Sequence, residues 1–245
     1  MSKFGLLGKN ISYSFSKSYF EKKFAILDLP HTYENFDVDS ISEFPSILKN
    51  NPDLVGLNVT IPYKEQIIPF LDEISEKAKD IGAVNTIAIS KSGHLKGYNT
   101  DYYGFKKSIE PFLKPHHKNA LILGTGGASK AIAYALKELN IHFDFVSRTS
   151  DDKSKFNYND LTESIINSHP IIINCTPVGT FPKVNECPNI PYDGISKNHL
   201  LYDLIYNPLQ TKFLICGELK GAVICNGLEM LELQAEKAWE IWDIA

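Results

Sequence analysis

Several things are scarce in this chain of 245 residues, and each scarcity excludes a class of protein. It has four cysteines, Cys175, Cys187, Cys216 and Cys225, with no C-x-x-C pair and no metal-type spacing among them. They read as reduced, mostly buried thiols of a cytoplasmic protein, not as a disulfide framework or a zinc site. His116-His117 stands beside Pro115 in a polar connector and reads as loop, so no metal is expected. No apolar run is long enough to cross a bilayer, and "MSKFGLLGKN" lacks the apolar stretch of a signal peptide. The formal net charge is −4 with both signs dispersed, which leaves no basic stripe for nucleic acid. There is no internal repeat and no low-complexity tract. What remains is 43% apolar residues, enough for one large domain or two modest ones.

Short apolar strands alternate with helical stretches, which argues for parallel α/β layers. "KFGLLG" reads as a first strand. "SKSYFEKKFAILDL" follows as a helix, with Tyr19, Phe20, Phe24 and Leu27 on one face. "HTYENFDV" is a second strand, "SISEFPSILKN" a short helix, and "EISEKAKDIG" another helix. "AVNTIAIS" and "HLKGYNT" are strands joined at "KSG". After Asp101 the character changes. "DYYGFKKSIEPFL" leads into the strand "NALILG", the helix "TGGASKAIAYALKELN" and the strand "FDFVSRT", then "PIIINCTP", "LLYDLIY" and "GAVIC". This is the order of a dinucleotide-binding fold. A first domain is therefore expected over 1–100 and a second over 101–225, with a final helix in "LEMLELQAEKAWEIW".

Two stretches carry chemistry. In "LNVTIPYKEQIIPFL", Leu57, Val59 and Ile61 alternate with Asn58 and Thr60 before Pro62 ends the ladder. Lys64 then falls on the expected first turn of a helix, at a strand end that faces the crevice in open α/β sheets. On this stretch alone, a solvated lysine and two polar residues on an edge strand are the better explanation. In "LILGTGGASKAIA", Gly124, Gly126 and Gly127 lie between strand and helix, where glycine lets the backbone approach a pyrophosphate at a helix N-terminus. The third fingerprint position is Ser129, neither Gly nor Ala. The next strand ends in Ser147, Arg148 and Thr149, with no acid for a ribose hydroxyl. A guanidinium and two hydroxyls suit a 2′-phosphate, with Lys153 adding charge, so the cofactor reads as NADP. A surface arginine at a strand end would leave that choice open.

These stretches, with "SYSFSKS", "NVTIPYKE", "GAVNTI", "GYNTDYYGF", "GTGGASKA", "SRT", "INCTPVGT", "LIYNPLQTKFL" and "NGLEMLELQA" in order along nearly the whole chain, resemble the shikimate dehydrogenase family. The resemblance implies an α/β substrate domain, a Rossmann-type NADP-binding domain, and a last helix, 226–245, that returns to the first domain. It implies reversible NADPH-dependent reduction of 3-dehydroshikimate to shikimate, in a cytoplasmic monomer or homodimer. Lys64 and Asp101 would be the catalytic pair. Ser14 and Ser16 would hold the substrate carboxylate, and Thr60, Asn85, Tyr206 and Gln234 would line the same pocket. Gly126, Gly127, Ala128, Ser147, Arg148, Leu204 and Gly227 would line the cofactor site. Each neutral residue also has a plain structural role open to it. Ser14 and Ser16 can cap the first helix, Asn85 can brace a turn, and Gln234 can sit on an exposed helix face. Tyr13, Lys17, Ser147 and Glu229 depart from the family's His, Pro, Asn and Gly. The crossover from "SRT" to "INCT" reads as trimmed. A quinate/shikimate dehydrogenase using NAD, and a catalytically silent metabolite-binding regulator, are the alternatives. A regulator should have lost Lys64 or Asp101, and both are present.

Overall fold

The computed structural model describes residues 2–12, 14–148 and 155–244. It divides into two compact units, Met1–Thr100 with Ala235–Ala245, and Asp101–Gln234.

The first unit runs β1 (Lys3–Gly8), α1 (Phe15–Ile26), β2 (Thr32–Asp37), α2 (Phe44–Asn50), β3 (Leu54–Val59), β4 (Glu73–Ile74), α3 (Glu76–Ile81), β5 (Thr86–Ile89) and β6 (Leu95–Tyr98). Its six-stranded sheet has the order β2-β1-β3-β5-β6-β4. The sheet is mixed, not parallel throughout as the alternation suggests: β5 pairs antiparallel with both β3 and β6. Only Ser90–His94 joins β5 to β6, and Gly93 takes φ 83° there. So short a link makes a hairpin, because a parallel return needs a long crossover. On α1, Phe20 and Phe24 are buried, but Leu27 caps the helix C-terminus and is 50% exposed.

The second unit runs α4 (Asp101–Ile109), β7 (Asn119–Leu123), α5 (Gly127–Glu138), β8 (His142–Ser147), β9 (Phe156–Asn157), α6 (Glu163–Ser168), β10 (Ile171–Asn174), β11 (Leu200–Asp203), α7 (Lys212–Leu219) and β12 (Val223–Cys225). Its sheet, β12-β11-β10-β7-β8-β9, is parallel at every pairing. The core strands β7, β10 and β11 are apolar on both faces, as a sheet covered by helices on each side requires. Among the described residues, the crossover after β8 carries a two-residue edge strand, a 3-10 turn over Tyr158–Asp160 and the six-residue α6.

The last helix, α8 (Leu228–Trp242), has Met230 in the core of the second unit, whereas Ala235 and Ala238 belong to the core of the first. Its C-terminal half returns to the first unit through aromatic packing. Phe20 and Trp239 stack at 6.5 Å, and the Trp242 indole N–H donates to the Ile87 carbonyl at 2.9 Å. A Cβ at Gly56 would meet the Trp242 ring at 2.6 Å, so glycine in β3 makes room for the indole. Tyr19 and Lys23 of α1 both bond the Glu236 carboxylate. No helix among the described residues is long and apolar enough to cross a membrane.

Candidate active site

In the first unit the polar residues singled out from the sequence gather at the C-terminal ends of β1 and β3. The loop after β1 is shaped by Asp37, whose carboxylate accepts the Asn10 and Ile11 amides at 2.8 and 3.1 Å. That loop delivers Ser14, the N-cap of α1, whose hydroxyl accepts the Ser16 amide at 3.2 Å. The capping role open to Ser14 is thus real. Tyr13 lies outside the described residues. Ser16 is buried, and its hydroxyl faces the Tyr33 phenol.

Tyr33 is the hub of a buried neutral network. Its ring stacks on Phe20 at 4.9 Å, and its hydroxyl donates to Asn58 Oδ1 at 2.7 Å. Asn58 Nδ2 donates to Thr86 Oγ1 at 3.2 Å. Asn85 Oδ1 accepts the Thr100 amide at 2.7 Å and the Thr86 hydroxyl at 3.1 Å, and Asn85 Nδ2 reaches Thr100 Oγ1 at 3.0 Å. Asn85 therefore ties the start of β5 to the segment after β6, while its carbonyl accepts the Val59 amide at the end of β3. Thr60 continues the bonding past that end, donating its amide to Leu7 O at 2.9 Å. Burial drives the Tyr33 pKa well above the usual phenol value, so the network carries no charge. Tyr33, Thr86 and Thr100 are not marked as site residues by spacing or by the family motifs. Two repeated Asn-Thr pairs, Asn85-Thr86 and Asn99-Thr100, were the available signal.

Lys64 is half-buried and is not on a helix. Residues 61–67 form consecutive turns, followed by a 3-10 turn over Ile68–Phe70. The physical reason is a competing partner: Val84 N donates to the Lys64 carbonyl at 2.7 Å, while Ile68 N bonds back to Glu65. With the Lys64 carbonyl taken by Val84, the next turn closes one residue tighter, Ile68 N bonding Glu65 O, and the chain goes on as a 3-10 turn. Asp101 opens α4 and is buried.

In the second unit the glycine turn lies between β7 and α5. Gly124 has φ 100°, and a Cβ there would also press on Thr176 Cγ2 at 3.0 Å. Gly126 is the N-cap of α5, and a Cβ there would meet nothing within 4 Å. The space above it is open to a ligand, and the α5 N-terminus presents its first-turn N–H groups and a favourable dipole. Gly127 and Ala128 form the first turn of that helix. Ser129 explains its place in the fingerprint: it is buried, and its hydroxyl turns back onto the Gly126 carbonyl at 2.6 Å. Ser147 is buried at the end of β8 and Arg148 is exposed beyond it. Thr149 and Lys153 lie outside the described residues. Tyr158 stands near Arg148; burial pushes its pKa up to about 12, against the pull of the guanidinium. Asp144, inside β8, is held by Lys155 at 2.7 Å and His169 at 3.2 Å.

Leu204 follows β11 and donates its amide to Asn174 O at 3.0 Å. A Cβ at Gly227 would meet the Leu204 carbonyl at 2.1 Å, so only glycine lets these segments touch. Tyr206 is half-buried, and burial raises its phenol pKa. Gln234 is 8% exposed and donates to Leu231 O at 3.1 Å, so it does not sit on an exposed helix face. No cluster of metal-ligating side chains occurs among the described residues.

With this geometry in place, comparison with known proteins decides the kinship. The family model described as "Shikimate dehydrogenase substrate binding domain" matches residues 6–87. The chain is 39% identical to the shikimate dehydrogenase (NADP(+)) of Methanosphaera stadtmanae, a match covering 97% of this chain and 90% of that protein. The chain belongs to the shikimate dehydrogenase family. Among solved structures, the shikimate dehydrogenase of Aquifex aeolicus superposes with a TM-score of 0.88 at 33% identity, covering 99% of this chain and 92% of that one. The Thermus thermophilus shikimate 5-dehydrogenase, solved in complex with NADP(H) and shikimate, gives a TM-score of 0.87 at 30% identity, covering 99% and 93%. The family's two sheets and returning C-terminal helix are those described above.

Proposed function

We propose that this chain catalyses the reversible NADPH-dependent reduction of 3-dehydroshikimate to shikimate, in the pathway that leads to chorismate and the aromatic amino acids. The first unit takes the substrate and the second takes NADP. Full-length kinship with NADP(+)-dependent shikimate dehydrogenases carries this reading. The buried array of Tyr33, Asn58, Asn85, Thr86 and Thr100 supports it, because neutral hydrogen-bonding groups suit a polyol. Sites built on such groups reject analogues that lack the matching hydroxyls. The open space at Gly126, the positive φ of Gly124 and the acid-free end of β8 support NADP as the cofactor.

Bound NADPH supplies the hydride to the ketone carbon. The ketone oxygen gains negative charge as the hydride arrives and needs a proton. Lys64 stabilises that oxygen and donates the proton; Asp101 orients the ammonium and accepts a substrate hydroxyl. Ser14 and Ser16 hold the carboxylate, while Thr60, Asn85, Tyr206 and Gln234 fix the ring hydroxyls. In the second unit, Gly124, Gly126, Gly127 and Ala128 cradle the pyrophosphate. Ser147, Arg148 and Thr149 take the 2′-phosphate end, and Leu204 and Gly227 take the nicotinamide end. The free thiols are consistent with a cytoplasmic enzyme, acting as monomer or homodimer.

The test is to offer shikimate and quinate, each with NADP and NAD, and follow the absorbance of reduced nicotinamide. Turnover should be fastest with shikimate and NADP. Equal or faster turnover of quinate with NAD would replace this reading with the quinate/shikimate alternative. No turnover of any pair would leave a metabolite-binding regulator.

A further inference from the structure

The second unit contains a buried carboxylate that the reaction does not use. Asp203, the last residue of β11, is 0% exposed. Among the described residues no cation pairs with it; three uncharged donors do. Asn174 Nδ2 donates to its Oδ1 at 3.0 Å and the Ile205 amide to the same oxygen at 3.1 Å. The Thr211 hydroxyl, at the N-cap of α7, donates to Oδ2 at 2.6 Å. Asn174 and Thr211 are fully buried as well.

These bonds organise two strand-end loops at once. Asn174 turns its own Oδ1 to the Thr176 amide and hydroxyl, at 3.0 and 2.6 Å, and its Nδ2 also reaches Val178 O at 3.3 Å. The loop after β10 is therefore held through Asn174. Thr176 in turn is the side chain that Gly124 leaves room for. On the other side, the Ile205 amide bound by Asp203 fixes the turn after β11. That turn presents the Leu204 carbonyl to Gly227, and the Gly227 amide donates to Ile205 O at 3.0 Å.

Strand order gives this cluster its functional side. The glycine turn follows β7 and Arg148 follows β8, whereas β10 and β11 lie on the opposite flank of β7. A dinucleotide lying across the carboxyl ends of a parallel sheet, with its 2′-phosphate at Arg148, extends its other half over β10 and β11. We propose that Asp203 is a positioning residue for the nicotinamide half of NADP, holding the loops after β10 and β11 in register without touching the cofactor. This rests on the reading of Arg148 as the 2′-phosphate site. A carboxylate suits the task because both oxygens accept, whereas an amide would turn a donor toward one of three donors.

The experiment measures equilibrium binding by calorimetry, with no turnover. Wild type, Asp203→Ala, Asp203→Asn, Thr211→Val and Arg148→Ala are titrated with NADP and with adenosine 2′,5′-bisphosphate, which lacks the nicotinamide half. Asp203→Ala should weaken NADP by about tenfold or more, since it strips the acceptor from three buried donors, and leave the bisphosphate unchanged. Thr211→Val, which removes one donor, should move NADP the same way by less, and it carries the test if the Asp203 variants fail to fold. Unchanged NADP binding, or equal weakening of both ligands, overturns the proposal. Bisphosphate binding indifferent to Arg148→Ala overturns the cofactor placement on which it stands.

Discussion

Each unit buries a polar network where its strands end, and the two networks are built differently. In the first unit the members are neutral: a phenol, two carboxamides and two threonine hydroxyls linking β2, β3, β5 and the end of β6. In the second the centre is a carboxylate, Asp203, satisfied by three donors. Neutral groups can donate or accept as a substrate requires, so that network can extend to the hydroxyls of a ligand. A buried anion has one polarity and a large desolvation penalty, so it serves to fix loops. The contrast also fits the partners proposed for each unit: a polyol for the first, and for the second a polyanion met by backbone N–H groups.

The largest break in this comparison is Lys64→Ala. It should leave the fold intact, because a half-buried lysine in a turn adds little to the core, and leave NADP affinity unchanged, because the glycine turn belongs to the other unit. Turnover should fall about a hundredfold to ten-thousandfold, the usual worth of positioned acid–base help. Steady-state kcat together with NADP titration checks both halves. Near wild-type kcat would return Lys64 to the role of a solvated side chain.

The neutral–charged contrast makes a pH prediction. Burial pushes the Asp203 pKa up from 3.8 to about 6, against its three hydrogen bonds. A carboxyl whose folded pKa is raised contributes stability that is fully present below pH 3.8 and lost as pH rises through about 6. The titratable groups facing it, Cys175 and Tyr192, have pKa values raised by burial and stay protonated across that window. The stability difference between wild type and Asp203→Asn should therefore shift by on the order of 3 kcal/mol in favour of the variant between pH 4 and 8. Denaturant melts at several pH values measure it, and a pH-independent difference would mean the carboxyl titrates normally. The network of the first unit should show no such slope when Asn58 or Thr86 is changed.

How much of this was legible beforehand depends on how local each cause is. The β7–α5 turn could be read directly, because glycines, strand and helix all fall within twenty residues and act on one another. Ser129 departs from the fingerprint for an equally local reason, its hydroxyl bonding the Gly126 carbonyl. The local pattern puts Lys64 on a helix, whereas the group that takes its carbonyl, Val84, lies twenty residues on. Leu27 had helical spacing with Phe20 and Phe24, yet the helix stops there and leaves it exposed. The return of α8 is a matter of Gly56 yielding space to Trp242, which no periodicity encodes; only family resemblance supplied it. The Tyr33 and Asp203 networks join four or more separate segments each, so neither could be assembled from spacing alone.

Arg148→Ala sharpens the comparison from the second unit's side. Losing a charged hydrogen bond to phosphate costs about 1.5–3 kcal/mol, roughly tenfold to a hundredfold in affinity. NADP should weaken by that much and NAD far less, with the apparent KM for shikimate held. Equal weakening of NADP and NAD would mean the exposed guanidinium at the end of β8 does not read the 2′-phosphate.

The smallest expected effect decides whether Ser14 serves the fold, the substrate or both. Its hydroxyl accepts the Ser16 amide at the start of α1, so Ser14→Ala should cost about 0.5–2 kcal/mol of stability as a lost N-cap. Ser14→Gly should cost only a few tenths of a kcal/mol, because glycine tolerates the N-cap position and lets water reach the free amides. The two variants share one chemical loss, the hydroxyl that would meet the substrate carboxylate. If Ser14 binds that carboxylate, both should raise the KM for shikimate by a similar factor despite their different stabilities, with NADP binding unchanged. If Ser14 is only a cap, Ser14→Gly should be close to wild type in both stability and KM, and any rise in Ser14→Ala should track its unfolding. Thermal melts and shikimate titrations on the pair separate these outcomes. A wild-type KM in both would place carboxylate recognition elsewhere in the stretch "SYSFSKS", where Tyr13 and Lys17 depart from the family pattern.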